Sequence, residues 1–77
     1  MSLQEMRKKR GYSQSALSEI TGISAKNIQH YESGYRDINK AQLATLCAFA
    51  LALECKIDDI LTDEDLKSKL MTTQRHK

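Results

Sequence analysis

Proline is absent from this 77-residue chain, and glycine occurs only three times, at Gly11, Gly22 and Gly34. A proline would break or kink a helix, so its absence leaves every periodic segment free to run as helix. The glycines fall between those segments, where a left-handed residue ends a helix. Long apolar runs are also missing: the longest, residues 46–53, falls far short of the roughly 18 residues that span a bilayer. The basic N-terminal stretch is not followed by the apolar segment of an export signal. These absences predict no membrane partner and a cytoplasmic chain.

Cysteine is scarce, with Cys47 and Cys55 alone and no CxxC or paired histidine spacing beside them. Two free thiols in a reducing compartment are expected, with no metal site and no cofactor. Serine, histidine and aspartate are scattered, and no glycine-rich phosphate loop is present, so the chain is not expected to be an enzyme. The net charge of +2 is small, but residues 1–40 carry seven basic side chains against four acidic, and the remainder five against six. Positive charge therefore gathers on the first half.

What is present is helical punctuation. Ser2 with Glu5 forms an S-x-x-E capping box ahead of a helix over residues 3–10, with Leu3, Met6 and Arg10 on one face. Ser13 starts a second helix over residues 14–21, carrying Leu17 and Thr21 and closed by Gly22. Ser24 caps a third over residues 25–33, with Ile28 and Tyr31 one turn apart and Gly34 as its stop. Asn39 is expected to cap a fourth over residues 40–53, buried through Leu43, Leu46, Cys47, Ala50 and Leu53. Ile57, Ile60 and Leu61 suggest a further short turn. The expected architecture is an all-α five-helix domain over residues 1–61, with residues 62–77 as a tail or a dimer-supporting helix bearing Leu66 and Leu70.

Two short helices joined through Gly22, with Leu17, Ile23, Ile28 and Tyr31 beneath and the small Ser18 between, make a helix-turn-helix layout. The stretch SQSALSEITGISAKNIQHYESG resembles the helix-turn-helix of the lambda repressor and Cro family, also called the xenobiotic-response-element family. The resemblance extends over residues 3–61 and includes LQEMRKKRGYSQ and the terminal CKIDDIL. Two positions depart from it. Ile38, Asn39 and Lys40 stand where a proline-containing loop is commoner, and Glu54 where a helix-ending glycine is frequent.

The resemblance implies a sequence-specific regulator of transcription, a repressor, whose third helix enters the major groove of duplex DNA. Ala25, Lys26, Asn27, Gln29 and His30 then become the base readers: Lys26 suits guanine, Asn27 adenine, and Ala25 a thymine methyl group. Gln14, Ser24, Ser33, Arg36 and Lys40 become contacts to phosphate, aided by the amide groups of helix N-termini. Arg7 and Glu32 are assigned a structural ion pair. A homodimer is expected, because one recognition helix reads only half a site. With no separate ligand domain, no small-molecule effector is expected. The rival reading is a protein-docking module, such as an antitoxin on the same fold, using Ile20, Leu66 and Leu70.

Overall fold

The computed structural model describes residues 2–62. Four α-helices and two 3₁₀ turns follow one another: α1 (Leu3–Lys9), α2 (Gln14–Thr21), α3 (Ala25–Ser33), a turn at Ile38–Lys40, α4 (Leu43–Leu53) and a turn at Ile57–Asp59. The all-helical class is as expected, but four α-helices stand where five were counted, the segment after α4 being a single 3₁₀ turn. The expected tail helix with Leu66 and Leu70 lies outside the described residues.

Local capping chemistry sets the first three helices. Ser2 Oγ accepts from the Glu5 amide at 3.2 Å while Glu5 Oε1 accepts from the Ser2 amide at 2.8 Å, completing the capping box. Ser13 Oγ accepts from the Ala16 amide at 3.0 Å and Ser24 Oγ from the Asn27 amide at 3.2 Å. Gly22 ends α2 at φ +76°, in the left-handed region that costs an L side chain about 1–2 kcal/mol.

The fourth helix departs from the sequence reading. Asn39 does not cap it; Asp37 Oδ1 accepts from the Asn39 amide at 3.0 Å and closes the 3₁₀ turn instead. The Asn39 carboxamide donates to Thr62 Oγ1 and accepts from the Thr62 amide, both at 2.8 Å, so it pins the end of the described chain. α4 starts three residues later, from Gln42, whose side chain makes no capping bond. Its inward face is Leu46, Phe49, Ala50 and Leu53. Leu43, expected in the buried stripe, is 67% exposed because it sits on the first, free turn, and Cys47 is only half-buried.

At the other end of α4, Glu54 takes the left-handed conformation at φ +52°. The terminal carbonyls there are satisfied from α1: Arg10 Nε donates to Leu53 O at 2.7 Å and Nη2 to Glu54 O at 3.0 Å. This role explains why Arg10 is exposed and not on the buried face of α1, where Arg7 joins Leu3 and Met6. The core gathers Leu17, Ile28, Ile38, Leu46, Phe49 and Leu53 from α2, α3, the first 3₁₀ turn and α4, with Leu3 and Met6 from α1 and Ile60 and Leu61 from just after the second turn.

Candidate nucleic-acid interface

α2 and α3 pack together across Gly22, with Leu17 and Ile28 fully buried and Ile23 and Tyr31 packed on the core from the rim. Burying Ile28 turns the opposite face of α3 to solvent. Lys26, Gln29 and Ser33 are exposed there, His30 is half-exposed among them, and Ala25 and Asn27 are half-exposed at its margins. All five residues assigned to bases thus lie on the N-terminal two turns of α3. Lys26 and His30, one turn apart, run along the middle of the face, with Gln29 on one flank and Asn27 on the other.

The Asn27 flank borders a cleft of about 810 Å³ between α3, the loop of residues 35–37 and the start of α4. Arg36, Lys40, Gln42 and Thr45 also line it. Arg36 and Lys40 are exposed, and together they put two cations beside a helix start whose first amides carry no side-chain cap. That combination suits a phosphate oxygen. Gln42 was not singled out in the sequence, since placing the cap at Asn39 hid it inside a helix. The loop itself is closed by the Arg36 amide donating to His30 O at 3.0 Å, and the His30 and Tyr35 rings lie 4.6 Å apart.

The remaining phosphate candidates are more dispersed. Ser24 is exposed and caps α3. Ser33 Oγ donates to His30 O at 3.3 Å and accepts from the Tyr35 amide at 3.4 Å, which shapes the exit of α3. Gln14 Nε2 donates to Glu32 Oε1 at 3.0 Å, so one of its amide hydrogens is engaged within the protein.

That contact belongs to the network behind the interface. Arg7 Nε donates to Glu32 Oε2 at 2.6 Å and Nη2 to Glu32 Oε1 at 3.0 Å, a two-pronged pair, while Nη1 donates to Tyr12 O at 2.8 Å. The expected Arg7 to Glu32 pair is therefore present, with side chains 10% and 3% exposed. The Glu32 carboxylate bonded to Arg7 raises the pKa of the guanidinium above its usual value, against the opposing effect of burial. The network ties α1 to the end of α3 and, through Gln14, to the start of α2.

Among the described residues no group of three or more histidine, cysteine or acidic side chains is placed to hold a metal ion. Cys47 and Cys55 are free thiols. No helix among the described residues is long and apolar enough to cross a membrane.

A family model described as helix-turn-helix matches residues 3–60, a span that takes in all four helices and both 3₁₀ turns. No curated protein and no solved structure matches the chain.

Proposed function

The chain belongs to the lambda repressor/Cro-like helix-turn-helix family of DNA-binding domains, and on that premise we propose that it is a repressor that inserts α3 into the major groove as a homodimer. The observation that carries this reading is the outward face of α3, where Lys26, Asn27, Gln29 and His30 stand clear of the core on a helix braced from behind by Arg7 and Glu32. Ala25 adds an apolar contact at the helix start. Arg36 and Lys40 hold phosphate across the cleft, joined by Ser24, Ser33 and the second amide hydrogen of Gln14. The protein is not an enzyme in this reading, and it needs neither cofactor nor effector. Its place is the cytoplasm, in keeping with two free thiols.

The dimer would present two α3 helices to half-sites about 34–36 Å apart, giving an inverted repeat with centres about 10 base pairs apart. The end of α4 with residues 57–61 offers little apolar surface to a partner, since Ile60 and Leu61 are buried. Among the described residues the large aliphatic side chains left outside are Leu43 and Leu51 on α4 and Ile20 at the end of α2, at 67, 80 and 52% exposure. Ile20 and Leu51 line one hollow with Ala48 and Ala52, and the same hollow supports the second reading, a protein-docking or antitoxin module.

Selection of bound sequences from a random duplex pool tests both. Enrichment of an inverted repeat, with affinity falling steeply as salt rises, is the expected result. A pool that stays unenriched would leave the docking reading in its place.

A further inference from the structure

We propose that Arg36 is a positioning residue for base recognition, which fixes the end of the Asn27 carboxamide that faces DNA. The inference rests on the DNA-binding reading of α3 given above. Arg36 is held at three points. Its amide donates to His30 O at 3.0 Å, its guanidinium carbon lies 5.5 Å from the centroid of the Tyr31 ring, and its Nη1 donates to Asn27 Oδ1 at 3.4 Å. Asn27 and Tyr31 are one turn apart on α3, so the arginine side chain runs back along the helix across both. Tyr31 is itself set edge-on against Phe49, with ring centroids 6.1 Å apart and planes at 87°, and Phe49 is fully buried. A line of contacts therefore leads from the core, through two rings and a guanidinium, to an amide on the reading face.

The chemistry of the last contact is directional. A guanidinium has donors and no acceptor, so the carboxamide facing it must offer oxygen and turn its NH₂ away. An asparagine left alone presents either end. With NH₂ outward it donates to purine N7, guanine O6 or thymine O4, and it meets the cytosine amino group donor against donor. With Oδ1 turned to the arginine, adenine keeps the hydrogen bond to its N7, whereas the cytosine amino group finds no acceptor. At 3.4 Å the hydrogen bond is long. The attraction of the guanidinium cation for the Tyr31 ring is what keeps the arginine in place.

The consequence differs from that of a phosphate contact. A cation touching only the backbone changes affinity for every sequence alike, whereas a positioning cation also changes discrimination at one base pair. The test is a panel of duplexes differing at single base pairs, measured with the wild type, Asn27→Ala, Arg36→Ala and Arg36→Lys. The wild type should reject cytosine about ten-fold or more at the pair that Asn27→Ala releases. Arg36→Ala should reduce that discrimination to about two-fold while leaving preference at the Lys26 pair intact. Arg36→Lys should keep the salt slope but not the discrimination, because an ammonium lacks the planar face. In the DNA-free protein, ¹⁵N relaxation of the Asn27 side-chain amide should show a lower order parameter in Arg36→Ala.

A uniform affinity loss with an unchanged preference profile would overturn the proposal and leave Arg36 as a backbone contact. An unchanged Asn27 order parameter would overturn it as well. If the wild type discriminates among no duplexes, the DNA-binding reading fails and the specificity role falls with it. The amide measurement then still reports whether Arg36 orders Asn27.

Discussion

Arg7→Ala should be the most destabilising single truncation outside the apolar core. The substitution removes both prongs of the pair with Glu32 and the donor to Tyr12 O, three contacts of 2.6–3.0 Å. It leaves the Glu32 carboxylate, 3% exposed, with Gln14 Nε2 as a remaining side-chain donor. Removing one member of a buried pair costs about 3–5 kcal/mol, most of it the desolvated charge left behind. In a domain of this size about 1 kcal/mol moves the melting temperature by about 4–8 °C, so a fall on the order of 20 °C is expected. Thermal unfolding followed by circular dichroism measures it, with urea titration as an independent reading of the free energy. Replacing both partners, Arg7→Met with Glu32→Leu, should recover all but about 1–2 kcal/mol, since no charge is then stranded. The reasoning is refuted if Arg7→Ala shifts the melting temperature by a degree or less, or if the double variant is no better than the single one.

Other outcomes follow from single features. Gly22→Ala should cost about 1–2 kcal/mol and Gly22→Asn less, because an added Cβ meets no atom within 4 Å and only the positive φ opposes it; denaturant midpoints rank the two. By the same argument Glu54→Gly should stabilise the fold by about 0.5–1 kcal/mol, read from the same titration. Lys40→Ala should weaken every duplex alike and reduce the salt slope by about one per subunit, checked by binding isotherms across ionic strengths. Burial, and after it the Asp59 carboxylate, push the Cys55 thiol up, with Arg10 opposing. A thiol whose folded value lies above its unfolded one favours folding below the unfolded value and loses that contribution as pH rises through the folded one. Stability should therefore decline on the alkaline side, and Cys55 should label more slowly than an unfolded cysteine at about pH 8.5.

Helices α1 to α3 were legible because their signals are local: a serine hydroxyl reaching three residues forward, and a glycine at the exit. The sequence reading matches the ends of α2 and α3 and overshoots α1 by one residue. The start of α4 was not legible, since the Asn39 carboxamide is taken by Thr62, 23 residues away, and no local pattern reports that. Nor does periodicity reveal the inward face of LATLCAFALAL, which is apolar nearly all round, so Phe49 went unnoticed at the centre of the core. In the interface, Ile28 and Tyr31 disclosed which face of α3 turns out. The Arg36 to Asn27 contact joins residues nine apart across a turn, and the Gln14 to Glu32 contact joins two helices. Both depend on how the loop and helices pack.

Ser2 and Thr62 line the same hollow, with Gly34, Asp37 and Ile38 between them. The described chain thus leaves close to where it begins, as a ring with a small gap. Joining Ser2 to Thr62 through a short flexible linker and opening the ring elsewhere should preserve the fold, and circular permutants of residues 2–62 cut at the exposed Gly11 are the natural choice. The same geometry governs fusions. A fluorescent tag or second domain joined directly at Ser2 or directly after Thr62 emerges beside the loop bearing Arg36, at the flank of the proposed DNA contact, and its bulk competes with the duplex for that space.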